Sequence, residues 1–558
     1  MARTPVLFVP GICGSFNLGV LLDWHGPTLN GWGFPPFVDY GKNFIVSFVK
    51  AGYTLNQDLF VAFYDWRKSV RDSAQLYLKP WIDQAKQRAG TQQVVLVGHS
   101  MGGLVARSYI QSKAYADDVA ALITLGTPQR GSAQAYYVWG GGEIKGDATM
   151  QTVFSVYLWY LRHAHPFQTE VNYLKAIRTL IPSVRDLLPI DDYLLAQAAP
   201  KAEDRLVERN LVVDLLNQPF GLATLVERVP VTTMAGVGFS TVTAITVDAP
   251  PAPPSDPVIF PDGQPVGDNA NGDGDGTVMR SSAQIEHPQV TNVSPFPGVD
   301  HNALPNHPTV LAQIFGMLGV VSPVIQALPP PEPRLVIMTA SPVTLRVEAP
   351  GGVPLTAGGV LGASREGVAV QAQRARVVPG KNHGHSGKHL NIAVIPRPTA
   401  GIHRVHLTGT ATGSFALGAM LVSAEGVTLL GGGAGEEAGA SAPPVSTITS
   451  VATHYGQVAA GTELFYEVEV QSLEVSPAVR LDASRTTADA VSRLRGAVGG
   501  AVLGAGDEGA DPVDVVLGGT TDPTTQLDAL SRLVEQLVGM DDPALAEALI
   551  VQLQAAKG

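Results

Sequence analysis

The chain has 558 residues, of which 45% are hydrophobic and 15% charged, a composition typical of a globular protein and not of a disordered one. At about 150 residues per domain, this length predicts about three domains. The net charge of −12 argues against nucleic acid or an anionic membrane as the main partner, because both recruit patches of Lys and Arg.

The single cysteine, Cys13, excludes an intramolecular disulfide and any metal site built from several cysteines, and we expect no cofactor and no metal. No apolar run reaches the ~18 residues that a transmembrane segment needs. Residues 1–5 lead directly into the strand-like run Val6–Val9, without the charged and apolar regions of a signal peptide. The sequence therefore predicts either a cytoplasmic protein or the mature form of a secreted one.

Strand-like apolar runs alternate with helical patterns through residues 1–325, which predicts an α/β catalytic domain with a parallel sheet wrapped by helices. The runs that we interpret as buried strands are Val6–Val9, Phe60–Tyr64, Val94–Val97, Ala121–Leu125 and Val231–Val237. Residues 132–229 instead combine helical patterns with aromatic clusters, which predicts an inserted helical cap, or lid. In such a sheet, the chemistry lies beyond the carboxyl ends of the strands.

The pattern changes beyond the Pro-rich stretch 328–333, which we interpret as an extended interdomain linker. Residues 334–430 contain runs such as Val343–Val347 that alternate with period two, which predicts a small all-β, β-sandwich-like accessory domain. After a Gly-rich linker at 431–444, residues 445–558 are predicted to form a C-terminal region with a strand-rich part and a terminal helical hairpin.

The segment Gly98–Gly102 reads Gly-His-Ser-Met-Gly and matches the G-x-S-x-G pattern. The pattern alone is weak, since a simple glycine turn also produces it. Here it follows the strand-like Val94–Val97 and precedes a run with helical spacing, so it predicts a strand–turn–helix elbow. Glycines fit the sharp turn because a side chain there would collide with neighbouring backbone. Ser100 is therefore the predicted nucleophile.

Acyl transfer from a serine also requires hydrogen-bond donors aimed at the developing oxyanion, each worth roughly 3 kcal/mol in the transition state. The backbone N–H of Met101, directly after the nucleophile, is the first predicted donor. The second should come from the loop after an early strand, and residues 10–15 after Val6–Val9 fit that place. Within this loop we select the Ile12 amide and interpret Cys13 as a small buried packing residue.

The predicted acid lies in the glycine-flanked acidic turn at 271–278. A carboxylate must orient the histidine that accepts the serine proton, and the expected chain order is serine, acid, histidine. Asp275 is our choice, with Asp273 as the alternative. The Asp-x-Asp spacing also leaves a calcium loop open, although the other positions of an EF-hand, including the Glu at its end, are missing.

The predicted general base lies in the segment 299–308, which contains two histidines and precedes a helix-like run. His301 is preferred because it comes first after the preceding strand. His307 sits before a proline at a predicted helix start, and we keep it as the alternative.

These residues belong to a set of ordered motifs through which the first 320 residues resemble the lecithin:cholesterol acyltransferase-like lipases, a branch of the α/β-hydrolases. Beyond Gly98–Gly102, the matching pieces are Val9-Pro10-Gly11, Tyr64-Asp65-Trp66-Arg67, Gly126-Thr127-Pro128 with Gly131-Ser132, Asp186-Leu187-Leu188-Pro189 and Gly274-Asp275-Gly276-Thr277-Val278. The resemblance implies an α/β-hydrolase fold, a triad of Ser100, Asp275 and His301, a lipid or other carboxylic ester as substrate, and a lid. For Asp65 and Arg67 it implies a supporting role at the site, whereas an ion pair that holds the loop is an equal alternative.

The sequence therefore predicts a serine carboxylic-ester hydrolase, a lipase or esterase, acting on a hydrophobic ester. A phospholipase or acyltransferase with the same triad is one alternative. Another is a surface-binding protein with a secondary hydrolase domain, because residues 334–430 are similar to accessory β-modules of bacterial secreted proteins. A lipid interface or a polymer surface would then be the partner.

Overall fold

The computed structural model divides the chain into two compact units: unit 1 is Met1–Leu158, Glu170–Pro331 and Pro443–Ile448, and unit 2 is the remainder. It describes residues 3–481, except for 22–25, 36–39, 145–152, 160–172, 197–198, 252–256, 321–324, 326–332, 341, 351–352, 356–389, 424–425, 429–451 and 471–478. The predicted linkers at 328–333 and 431–444 and the predicted terminal hairpin therefore lie essentially outside the described residues.

The strands of unit 1 are β1 (Val6–Val9), β2 (Leu59–Val61), β3 (Val94–His99), β4 (Val119–Leu125), β5 (Leu194–Ala196), β6 (Ala199–Lys201), β7 (Val231–Met234), β8 (Gly236–Val237), β9 (Thr241–Asp248), β10 (Gln264–Asn271), β11 (Val290–Asn292) and β12 (Phe296–Pro297). Its helices are α1 (Leu18–Leu21), α2 (Lys42–Lys50), α3 (Val70–Ser73), α4 (Lys79–Ala89), α5 (Met101–Ile110), α6 (residues 153–159), α7 (Tyr173–Leu180), α8 (Leu211–Asn217), α9 (Pro219–Arg228), α10 (Arg280–Ala283) and α11 (Pro308–Met317). Among the described residues, no helix is long and apolar enough to cross a membrane.

The central sheet of unit 1 has six parallel strands in the order β11-β7-β4-β3-β1-β2. Strand β1 lies between β2 and β3, so the strand order reverses at β1 and opens a crevice beyond the carboxyl ends of β1 and β3. Ligands bind in such a crevice in open α/β sheets. The predicted α/β-hydrolase fold is confirmed, and its sheet brings the loops after β1 and β3 to one place.

Residues of alternate parity on each strand face opposite sides of this sheet, which is why its strands are apolar throughout. On one face, Val6, Phe8 and Val97 pack with side chains of α2 and α11 in a single buried core. Phe8 stacks on Phe44 of α2 with ring centroids 4.5 Å apart. This packing fixes the strand ends from which the loops of the crevice begin.

A second, four-stranded sheet in unit 1 has the order β10-β9-β5-β6. Strands β5 and β6 form a hairpin inside the segment 132–229, for which the sequence predicted helices. The hairpin exists because β5 pairs in parallel with β9, a partner about fifty residues later whose pairing leaves no local signal in the sequence.

The described residues of unit 2 form two antiparallel five-stranded sheets. Its strands are β13 (Arg334–Ala340), β14 (Val343–Ala349), β15 (Val353–Leu355), β16 (Leu390–Pro396), β17 (Gly401–Gly409), β18 (Gly413–Ser423), β19 (Gly426–Thr428), β20 (Ala452–Val458), β21 (Glu463–Val470) and β22 (Val479–Leu481). Buried side chains from both sheets, such as Ile337 and Leu407, share one core. The predicted all-β accessory architecture is confirmed.

The domain boundary predicted between 430 and 445 does not separate the strands of unit 2. Strand β20 pairs with β18, and β21 pairs with β17, so strands from both sides of the Gly-rich segment 431–444 share the same sheets. Glycine-rich composition favours a linker and therefore predicts a boundary. Strand pairing across such a segment depends on long-range contacts, which composition does not reveal.

Candidate active site

Ser100 occupies the sharp turn between β3 and α5, with φ 54° and ψ −131°. A positive φ at a residue other than glycine costs on the order of 1–3 kcal/mol, which the surrounding packing must offset. The turn is feasible because Gly102 passes directly over the loop after β1: a Cβ atom there would overlap the carbonyl oxygens of Val9 and Pro10. The structure thus places Ser100 at the crevice between β1 and β3.

Asp275 and His301 form a buried pair, in which His301 Nδ1 lies 2.8 Å from Asp275 Oδ2. The other carboxylate oxygen, Oδ1, accepts the backbone N–H groups of Thr277 at 3.0 Å and Val278 at 2.7 Å. These bonds hold the carboxylate in one orientation toward the imidazole. When Nδ1 donates to Asp275, Nε2 is the ring nitrogen able to accept a proton.

The alternatives for the acid and the base are engaged elsewhere. Asp273 forms an ion pair with Arg280 in which both side chains are more than two-fifths exposed. His307 caps the N-terminus of α11 and accepts the backbone N–H of Thr309 at 3.3 Å. In the described part of the chain, no cluster of acidic, His or Cys side chains has the arrangement of a metal site.

Gly126 explains why the turn after β4 contains a glycine. Its φ is 54°, and a Cβ atom there would lie 2.9 Å from Asp275 Oδ2 and 3.1 Å from His301 Nδ1. Any side chain at this position would press on the acid–histidine pair. The glycine of the Gly-Thr-Pro motif therefore leaves the space that the Asp275–His301 pair occupies.

The two predicted oxyanion donors, Ile12 and Met101, lie on opposite sides of the crevice. Ile12 lines a cavity together with Ser100 and His301. Met101 begins α5, so its N–H is one of the helix N-terminal amides that no carbonyl of the same helix can satisfy. Within the described residues, neither amide donates a hydrogen bond to the protein.

The Tyr-Asp-Trp-Arg motif fastens the loop that contains Ile12. Tyr64 donates its hydroxyl proton to the carbonyl oxygen of Pro10 at 2.7 Å, and Trp66 donates its indole N–H to that of Ser15 at 3.0 Å. The motif therefore holds both ends of the loop 10–15.

Asp65 and Arg67 form a buried two-point ion pair, with Nε–Oδ1 and Nη2–Oδ2 distances of 2.9 Å each. Arg67 also donates to the carbonyl oxygens of Val20 and Leu21 and to the hydroxyl of Tyr157. Since both charges are paired and the remaining donors are used, this ion pair ties α1 and α6 to the loop after β2.

The cavity beside Ser100 measures about 40 Å³. Its apolar lining includes Ile12, Pro128, Ala135, Val184, Leu187 and Val278. The aromatic cluster at 136–139, within the predicted cap, is buried, because these side chains pack inside unit 1.

Several polar residues of this cavity were missed by sequence reasoning, among them Tyr40, His99 and Gln134. Gln134 donates its amide N–H to the carbonyl oxygen of Gly276 at 2.9 Å, next to the predicted acid. His99 stands inside the Gly-His-Ser-Met-Gly segment, which is a signal that could have drawn attention to it. Tyr40 and Gln134 belong to none of the motifs, and only the fold brings them here.

Asp186, in the Asp-Leu-Leu-Pro motif near the cavity wall, has an unusual carboxyl group. Burial raises its pKa from 3.8 to about 6, although the carboxylate accepts the backbone N–H of Val70 at 2.8 Å. A folded-state pKa above the unfolded value means that the uncharged form is favoured by folding. Stability from this group is therefore complete below pH 4 and is lost as the pH rises through about 6.

We expect Asp186→Asn to remove this dependence, because the amide stays uncharged and its oxygen can still accept the Val70 N–H. Wild type should lose stability between pH 4 and pH 8, whereas the variant should not. The free energy of unfolding of the variant minus that of wild type should therefore increase by about 2–3 kcal/mol over this range. Urea denaturation at several pH values measures it. The exposed-residue variant Asp204→Asn serves as the control and should stay within about 0.5 kcal/mol of wild type. A constant offset for Asp186→Asn across the pH range would contradict the prediction.

Comparison with known proteins gives a match of residues 39–206 to the family model for lecithin:cholesterol acyltransferase. The chain is also 31% identical, over 140 residues, to the human lysosomal phospholipase A and acyltransferase. The resemblance to this lipase family is confirmed. The alignment covers 24% of this chain and 32% of the human protein, so the chain spans about a third of the length of the curated relative.

A second relative within this LCAT-like group is the phospholipase A(1) LCAT3 of Arabidopsis thaliana, 37% identical over 87 residues, or 15% of this chain and 20% of that protein. Among solved structures, the mature lipase BlEst2 of Bacillus licheniformis is 17% identical, covers 57% of this chain and 93% of its own length, and has a TM-score of 0.29. The LCAT-like match itself spans β2 to β6, including the elbow of Ser100.

Proposed function

We propose that this chain is a serine carboxylic-ester hydrolase of the lipase or esterase type, which cleaves hydrophobic esters through an acyl-enzyme on Ser100. One observation carries the proposal: Ser100, on a strained elbow, lines the same cavity as His301, and the Nδ1 of His301 is hydrogen-bonded to the buried Asp275. A nucleophile, a base and an orienting carboxylate are the three groups that such an acyl transfer needs.

In the proposed reaction, Ser100 Oγ attacks the ester carbonyl carbon while His301 Nε2 accepts the hydroxyl proton. The negative oxygen of the tetrahedral intermediate is stabilised by the N–H groups of Ile12 and Met101. The intermediate collapses, the ester C–O bond breaks, and His301 returns the proton to the leaving alcohol. A water molecule, deprotonated by His301, then hydrolyses the acyl-enzyme and frees the acid, while Asp275 stabilises the imidazolium in both halves.

The expected substrate is a lipid-like or otherwise hydrophobic ester. The apolar side chains along the cavity suit an acyl chain. A cavity of about 40 Å³ is far smaller than the roughly 300–1,000 Å³ of pockets that bind drug-sized ligands. Binding of a long acyl chain therefore requires part of the wall to move, and we assign this role to the segment 132–229, which supplies Ser132, Ala135, Val184 and Leu187.

A second candidate is phospholipase or acyltransferase activity with the same three residues. It is favoured by the names of the human and Arabidopsis relatives, a phospholipase A and acyltransferase and a phospholipase A(1). A phospholipase differs from the first candidate in its substrate, since water still takes the acyl group from Ser100. An acyltransferase differs in the last step, where an alcohol takes the acyl group instead of water.

The test measures the full chain on p-nitrophenyl esters from acetate to palmitate, and on phosphatidylcholine vesicles with and without 1-octanol. We expect ester cleavage well above that of Ser100→Ala, with free fatty acid as the main product. Acyl groups recovered mainly as octyl ester would establish the acyltransferase, and release of fatty acid from phosphatidylcholine with no cleavage of p-nitrophenyl esters above Ser100→Ala would establish the phospholipase. Turnover no higher than that of Ser100→Ala on every ester would overturn both.

A further inference from the structure

Two buried side chains beside Ser100, Tyr40 and His99, take no part in the proposed acyl transfer. The Tyr40 hydroxyl lies 2.8 Å from the backbone nitrogen of Gly11 and 2.6 Å from Nδ1 of His99. Nε2 of His99 lies 2.8 Å from the backbone carbonyl oxygen of His301. We call residues 10–15 the oxyanion loop, because they contain Ile12. A continuous chain of hydrogen bonds therefore runs from Gly11 in this loop, through Tyr40 and His99, to the backbone of His301.

Chemistry fixes the direction of each bond in this chain. The His301 carbonyl oxygen can only accept, so Nε2 of His99 carries a proton and donates it. In the neutral ring Nδ1 is then an acceptor, so Tyr40 donates its O–H to it and receives the Gly11 N–H on its oxygen. Burial, and next the proximity of His301, lower the pKa of His99 well below its usual value, which keeps this ring neutral.

This arrangement has a consequence for the oxyanion loop. The Gly11 N–H is engaged by Tyr40, so it is not a donor for the substrate, and the following amide of Ile12 remains for that task. At Gly11 the loop lies directly against Ser100, because a Cβ atom on Gly11 would lie 2.7 Å from Ser100 Cβ. A side chain larger than glycine at this position would therefore press on the nucleophile.

The loop that contains His301 is fixed by the same chain of hydrogen bonds. The rings of His99 and His301 lie with centroids 4.8 Å apart, tilted by 45°. His99 is hydrogen-bonded to the backbone carbonyl of His301, while Asp275 is hydrogen-bonded to the imidazole of His301. Because His99 directly precedes Ser100, any shift of the elbow is transmitted to both loops together.

We propose that Tyr40 and His99 are positioning residues, which hold the Ile12 amide and the His301 imidazole in register with Ser100 for the transition state. This inference rests on the proposed ester hydrolysis. Positioning of this kind acts on kcat more than on KM, because the oxyanion and the imidazolium exist only along the reaction and not in the bound substrate. A purely structural role would instead lower stability and leave turnover per active site unchanged.

The first test is Tyr40→Phe, which removes the hydroxyl but keeps the ring packing against Phe8 and Phe34. Rates are measured per active site, titrated with a fluorophosphonate. We expect kcat for p-nitrophenyl butyrate to fall about 10- to 100-fold, as for a misplaced catalytic group, with KM within about twofold. The inhibition constant of an alkylboronic acid, whose adduct places a negative oxygen in the oxyanion site, should rise by a similar factor. Tyr53→Phe, a buried tyrosine away from the cavity, is the matched control and should match wild type.

The second test compares His99→Leu with His99→Gln. Leucine removes both bonds of the ring, whereas the glutamine amide can still donate to the His301 carbonyl. We expect His99→Leu to lose about 100-fold in kcat and His99→Gln to recover at least about 10-fold of that loss. Equal kcat for leucine and glutamine, or a kcat and boronic acid constant for Tyr40→Phe within twofold of wild type, overturns the inference. Failure of the proposed function looks different, since wild type itself would then hydrolyse no ester faster than Ser100→Ala.

Discussion

Replacing Ser100 by alanine is expected to lower kcat for p-nitrophenyl butyrate by about 10⁴- to 10⁶-fold, the range found when a serine nucleophile is removed. The physical reason is that no other group on the elbow can form the covalent intermediate. Oxyanion donors and bound water remain, which leaves a residual rate above the uncatalysed one. Steady-state kinetics on the full chain, with KM compared where turnover is measurable, gives the result.

The matched control is Ser112→Ala, a serine just beyond α5 and away from the cavity, whose hydroxyl donates to the carbonyl oxygen of Tyr109 and accepts from the backbone N–H of Ala114 and the amide of Gln75. We expect it to retain wild-type kcat. A fluorophosphonate should add one mass increment to wild type and to the control and none to Ser100→Ala. Labelling of Ser100→Ala at another residue, such as Cys13, would contradict the assignment.

The elbow could be predicted from sequence because its determinants are local. A buried strand, a turn with two glycines and a helical run follow one another directly along the chain. The turn itself requires small residues at 98 and 102. The strands Val6–Val9 and Val94–Val97 were likewise predicted at their places, since a parallel sheet covered on both faces makes its strands apolar throughout. The strand predicted at 60–64 ends instead at Val61.

The sequence indicates that the acid precedes the base along the chain, but no local pattern indicates which of two aspartates is the acid. Asp273 and Asp275 share one turn, and nothing local distinguishes their carboxylates. The structure distinguishes them through distant partners, since Arg280 takes the exposed Asp273 and the loop after β12 brings His301 to Asp275. Such contacts depend on how the sheet is assembled.

The contributions of Tyr40 and Gln134 depend entirely on long-range contacts. Tyr40 lies 59 positions from His99, its hydrogen-bond partner, and Gln134 lies 142 positions from Gly276. The β5–β6 hairpin and the pairing of β20 with β18 have the same cause. Composition favoured helices in the first case and a domain boundary in the second, and tertiary pairing prevailed over both.

Asp275→Asn is expected to lower kcat by about 10³- to 10⁴-fold with little change in KM. The reason lies in the hydrogen bonds of this carboxylate. The N–H groups of Thr277 and Val278 point at Oδ1, so in the variant the amide oxygen takes that position and the NH₂ group faces His301 Nδ1. The imidazole must then accept at Nδ1 and carry its proton on Nε2, where it can no longer receive the proton of Ser100.

Asp273→Asn is the matched control, because it makes the same chemical change two residues away and loses only an exposed ion pair with Arg280. Its kcat should stay within about twofold of wild type. Thermal unfolding of both variants separates a misfolded protein from a misdirected imidazole. If Asp273→Asn lost activity and Asp275→Asn kept it, the acid would be Asp273, and the buried pair of Asp275 and His301 would have to be assigned a structural role instead.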